Sequence, residues 1–191
     1  MVVAALTLDR LGEVQTGVGL TGTAWAYQQL GLEPDIVAFA KKVQLGGIMA
    51  GRRVDEVVDN VFAVPGRINS TWGGGLVDMV RSRRLLEIID RDGLIEHAAK
   101  VGDWLLSELT ALGGRHAGLA SYVRGRGLMC AFDLPDAQTR DVAQRLLRED
   151  HVLVLPCGER SIRVRPALDV TEPELKFGLA ALDRTLTTLA R

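Results

Sequence analysis

One lysine stands where it could do covalent chemistry. Residues 34–51 read PDIVAFAKKVQLGGIMAG, a short apolar run, a lysine pair and a glycine-rich turn. The DIVAF segment is β-branched and aromatic and too short for a helix of its own, so it predicts a buried strand that delivers Lys41 to an interior site. An amine titrates near about 10.4 in water and is then a poor nucleophile. Burial or a neighbouring cation lowers that value and frees the lone pair, the usual route to a Schiff-base lysine. Lys42 would face the other way in an extended segment, as the spare charge of the pair, close enough to lower the pKa of Lys41 slightly.

Three further groups are candidates. Asn69-Ser70-Thr71 precedes a glycine run and a helix-periodic segment, so a hydroxyl and unblocked backbone N–H groups would stand at a helix N-terminus, where an anion is favoured; a plain N-cap is the simpler reading. Arg163 and Arg165 in SIRVRP offer planar two-donor forks suited to a carboxylate. Strand alternation puts both on one face and cannot choose between them. Gly17, Gly19 and Gly22 spell G-x-G-x-x-G, but a dinucleotide site needs an acid about 20 positions on, and Lys41 and Lys42 stand there. Gln15, alone, is a polar turn residue.

The elements that must position these groups follow from periodicity. A strand is expected over residues 1–6, a short helix within 23–30, strands near 47–50 and 60–64, and a helical turn within 52–59. Helices are expected at 76–90, with Leu76, Val80, Leu85, Leu86 and Ile89 as its apolar stripe, and at 94–112, stopped by Gly113-Gly114. Beyond them strands at 120–123, 127–134, 151–155 and 161–164 alternate with helices at 137–149 and 172–189, a small α/β sheet covered on one side. Arg126 reads as a turn anchor or as the partner of a surface carboxylate.

Composition narrows the function classes. The chain has 191 residues, 47% hydrophobic and 25% charged, with 23 basic against 24 acidic side chains and a net charge of −1, so nothing favours nucleic acid or an anionic membrane. Cys130 and Cys157 lack metal-ligand spacing and His97, His116 and His151 are scattered, so no metal is expected and a reducing cytoplasm is the default.

The wording PDIVAFAKK, with GEVQTGVGLTG before it and NSTWGGGL and RGRGLMCAF after it, resembles the class III (ω-amino acid) aminotransferases, nearest to members acting on the ε-amino group of lysine. The resemblance runs from about Gly12 onward. It implies an α/β protein, the C-terminal part of a fold type I, aspartate-aminotransferase-like enzyme, with residues 1–92 as part of the large domain and 93–191 as a linking helix and small C-terminal domain. It implies pyridoxal 5'-phosphate as cofactor, an amino donor and 2-oxoglutarate as substrates, and a homodimer. By resemblance Lys41 is tether and proton carrier, Gln15 bonds the cofactor's phenolic oxygen, Thr71 holds the phosphate bound in the neighbouring subunit, and Arg163 takes the substrate α-carboxylate. The sequence departs from the pattern at Gly12, where the family has the aspartate that pairs with the pyridine nitrogen, and at Gly75, where it has asparagine. Glu13 beside the gap should point to the opposite face. The phosphate cradle, the stacking aromatic and most of the donor pocket belong to the family's N-terminal half, so a weak or inactive product is expected from this chain alone. The alternatives are a non-catalytic dimerising remnant and a nicotinamide-dependent oxidoreductase.

Overall fold

The computed structural model describes residues 8–68, 71 and 73–190; the strand expected over 1–6 lies outside them. The chain forms two compact units, one of residues 8–18 and 23–92, the other of 19–22 and 93–190.

The first unit is built on a three-stranded sheet in the order β1-β2-β3, from β1 (Arg10–Gly12), β2 (Ile36–Phe39) and β3 (Gly47–Ala50). β1 runs parallel to β2, with Gly12 opposite Ala38, and β3 returns antiparallel, with Phe39 opposite Gly47. Glycine at 47 is steric in origin, because a Cβ there would lie 2.6 Å from the Phe39 ring. The expected helix within 23–30 is reduced to α1 (Tyr27–Leu30). Residues 60–64 are turns rather than a strand, since the Asn60 carboxamide accepts from the N–H groups of Phe62 and Ala63, a local bond that competes with a sheet ladder. α2 (Leu76–Arg91) forms as its spacing predicts, but Leu76 and Val80 are 80% and 70% exposed, and of the expected stripe only Ile89 is buried.

The second unit carries α3 (Leu94–Arg115), β4 (Ser121–Arg126), β5 (Met129–Asp133), α4 (Ala137–Glu149), β6 (Leu155–Cys157), β7 (Ser161–Val164) and α5 (Glu172–Leu189). Its strands form an antiparallel sheet in the order β4-β5-β7-β6. Cys130, Phe132 and Ile162 share one face and are fully buried with Leu105, Leu109 and Leu112 of α3, Leu147 of α4 and Leu186 of α5. Burying side chains of this size contributes about 1.5–3 kcal/mol each, which makes this face the core. Gly113-Gly114 does not end α3. The helix continues to Arg115, and the missing side chain at Gly113 admits Val123 of β4. The strand expected from 151 begins only at Leu155, because His151 takes a left-handed φ of 61° and closes α4, with Val152 N–H bonding Leu147 O. α4 starts on an Asp136 cap that accepts from Thr139 N–H, and α5 on a reciprocal Thr171–Glu174 capping box.

Candidate active site

Lys41 follows β2 and opens a single 3-10 turn, Lys41–Val43, that Gln44 N–H closes onto Lys41 O at 2.8 Å. Both ends of the turn are left-handed, with φ of 58° at Lys41 and 51° at Gln44, a region where a side chain costs about 1–2 kcal/mol. Val43 is buried and pins the turn, which packs against α2. Lys41 is exposed rather than interior, since the strand that was to deliver it ends at Phe39 and the lysine lies in the turn beyond.

The EVQTG segment is the other wall. It leaves β1 as a tight loop, with Glu13 N–H bonding Ala38 O at 2.8 Å and Gly17 N–H bonding Glu13 O at 2.9 Å. Gln15 lies at its tip. The Trp25 ring stands where a Gly17 side chain would be and packs tilted on Phe39, ring centres 5.9 Å apart. Lys42 is not the spare charge facing away from Lys41 that an extended segment would give. The backbone there is a 3-10 turn, and the Lys42 ammonium donates to Gln15 O at 2.8 Å.

Glu13 is buried, and its carboxylate accepts from the Thr16 hydroxyl and, at 2.9 Å, from Tyr27 N–H. It is thus committed to holding the loop. Gly12 is exposed at the end of β1, and a Cβ built there meets nothing within 4 Å. Thr71 is exposed ahead of α2, whose N-cap Gly75 supplies no side-chain bond.

The glycine triplet is no phosphate cradle. β1 ends five residues before Gly17, and the four-residue α1 begins only at Tyr27. Within the second unit Gly19 and Gly22 are left-handed, Gly19 against Ile95 and Leu168 and Gly22 against Ala99. Leu20 O between them accepts from Leu128 N–H at 2.9 Å.

The two arginines, expected on one face, separate. β7 stops at Val164. Arg163 pairs with Ala131 and Leu155, on the sheet face opposite the buried Phe132 and Ile162. Arg165, past the strand end, instead lines a hollow of about 170 Å³ with Leu105, Leu109, Leu175 and Leu182. The Arg163 face also carries a network not legible in the sequence. Asp133 Oδ1 accepts from Arg124 at 2.8 Å and from Ser161 Oγ at 2.6 Å, and Arg160 lies 3.4 Å from Oδ2. The Ser161 hydroxyl and the arginines hold the Asp133 carboxyl below the usual range. Only the strand register, with Asp133 opposite Ser161, could have revealed it.

The first unit thus carries a lysine-bearing turn just past a strand end and an adjoining polar loop, and the second is a small antiparallel α/β unit. The class-III aminotransferase family model matches residues 8–186, and the chain belongs to that pyridoxal-phosphate-dependent family. The chain is 56% identical over 179 residues to the L-lysine-epsilon aminotransferase of Amycolatopsis lactamdurans, covering 93% of this chain and 40% of that protein. It is 38% identical over 158 residues to human mitochondrial 4-aminobutyrate aminotransferase, covering 82% of this chain and 30% of the relative. The structure of M. tuberculosis lysine aminotransferase in its internal aldimine form superposes with a TM-score of 0.93 at 54% identity, over 96% of this chain and 42% of that one. The chain therefore spans about two fifths of the length of such relatives.

Proposed function

We propose that this chain is the C-terminal part of an aminotransferase that moves the ε-amino group of L-lysine to 2-oxoglutarate, with low or no activity in isolation. Lys41 is the tether for pyridoxal 5'-phosphate and the base that carries the proton between donor carbon and cofactor; Gln15 meets the phenolic oxygen, Thr71 reaches the phosphate of a neighbouring copy, and Arg163 receives the α-carboxylate. The bound cofactor supplies the electron sink for the carbanion. The observation that carries the reading is the exposed Lys41 turn fastened to the Gln15 loop, since strained, over-determined backbone marks functional positions. The residues present fit a tether and a phenolic-oxygen partner. They do not fit a partner for the ring nitrogen, because Gly12 has no carboxylate and that of Glu13 is engaged. A homodimer is supported by the exposed apolar residues of α2.

The test is borohydride reduction of the chain after incubation with pyridoxal 5'-phosphate. Label is expected at Lys41 well above the level at Lys100 and Lys176, and that excess is lost in Lys41→Ala. A total label unchanged by the substitution, or no excess at Lys41 in the wild type, removes the tether assignment. The non-catalytic remnant is the second reading, favoured by Gly12, and it predicts association without label.

A further inference from the structure

We infer that Lys42 is a positioning residue, the strut that fixes the Gln15 loop to the turn bearing Lys41. The inference rests on the tether reading above and adds a role that reading does not require. Glu13 N–H to Ala38 O joins the base of the loop to the strand, while Gly17 N–H to Glu13 O closes the loop on itself. The Lys42 ammonium ties the loop's middle to the turn, reaching across 27 positions to Gln15 O at 2.8 Å. It ends on the carbonyl of the one loop residue whose side chain is assigned to the site. Lys41 and Lys42 are consecutive in a turn closed by Gln44 N–H, so a force that holds Lys42 also holds the backbone from which Lys41 projects. A charged donor on a partly buried carbonyl is among the stronger hydrogen bonds. Trp25 and Phe39 brace the same loop from the side of Gly17. Lys42 therefore acts through Gln15 and Lys41.

Lys42→Met keeps the aliphatic stem and removes the donor; Lys42→Arg restores a charged donor of similar reach. The chain has four lysines, so labelling at Lys41 can be read against Lys100 and Lys176 in the same sample. After incubation with pyridoxal 5'-phosphate and reduction, peptide mass spectrometry should find the Lys41 label reduced about tenfold in Lys42→Met, the loss expected for one charged hydrogen bond, and within about threefold of wild type in Lys42→Arg, with labelling of the exposed Lys100 and Lys176 unchanged as the background reference and an unchanged circular dichroism spectrum as the check that the chain remains folded. Independently of cofactor, hydrogen exchange at the Gly17 amide should accelerate in Lys42→Met and return towards wild type in Lys42→Arg. Unchanged Lys41 label in Lys42→Met, or unchanged exchange at Gly17, overturns the role of Lys42 while leaving the tether intact. A loss that Lys42→Arg fails to restore likewise overturns it. A wild-type chain that takes no label at Lys41 overturns the tether itself, and this role with it.

Discussion

At the scale of single residues, the notable feature is that a lysine occupies a backbone conformation better suited to glycine. Lys41 at φ 58° and Gln44 at φ 51° frame the same turn. If the amine is the reason Lys41 persists there, Lys41→Gly should raise stability by about 1 kcal/mol while reducing the label to the background on the other lysines, whereas Gln44→Gly should give a similar gain and keep the Lys41 label. Urea unfolding together with the borohydride assay separates the two; a Lys41→Gly chain less stable than wild type would mean that the side chain itself holds the turn. Gly12 poses the converse question. Its Cβ position is open, so Gly12→Asp should change stability by no more than about 0.5 kcal/mol. A carboxylate facing the ring nitrogen should tighten pyridoxal phosphate binding about tenfold or more, the scale of a charged hydrogen bond, as read by titration of the absorbance. Unchanged binding would mean that position 12 does not face the ring.

At the scale of elements, the sequence was most legible where one physical signal dominated. Helices α4 and α5 run over the residues expected of them, 137–149 and 172–189, and their starts are fixed by the Asp136 cap and the Thr171–Glu174 pair. Boundaries failed where a competing interaction was invisible in one dimension. Gly113 looked like a stop and is a packing notch for Val123, and Gly102 likewise leaves room for Gly127, whose backbone would lie 2.1 Å from an added Cβ. The arginine pair separates because alternation holds only while the strand lasts, and β7 ends between them. The Asp133 network, joining β4, β5 and β7 on one sheet face, depends on register that no local pattern encodes. Its folded carboxyl titrates below the ordinary value, chiefly through the Ser161 hydroxyl and then Arg124. The stability it contributes is therefore complete above the unfolded value of about 3.9 and is lost as pH falls through the lower folded one. Asp133→Asn should cost about 2 kcal/mol at pH 7, with the difference from wild type shrinking below about pH 4. A difference that stays constant down to acid pH would assign the loss to packing rather than charge.

At the scale of the whole molecule, the family was readable because short, unusual wording survives around Lys41, Gln15 and Thr71, while the extent of the site was not. A pocket assembled from distant stretches of chain has no local signature, and this chain spans about two fifths of its relatives. Exposed apolar residues are concentrated in the first unit, where Val58, Phe62, Ile68, Leu76, Val77 and Val80 are all more than half exposed. Leu76 and Val80, four residues apart on α2, share one exposed face, and an exposed apolar stripe suits a contact surface. If a second copy covers the α2 face, as the assignment of Thr71 to a neighbouring site requires, a Leu76→Asp, Val80→Asp double variant should weaken self-association at least tenfold, the scale of a centrally buried interface residue. Helix content should be unchanged, because both side chains are exposed within one copy. Sedimentation across a concentration series reads the first effect and circular dichroism the second. A wild-type chain that stays monomeric throughout would break the link between Thr71 and a neighbouring copy, and an aminotransferase reading would then need its phosphate held by residues of the same chain.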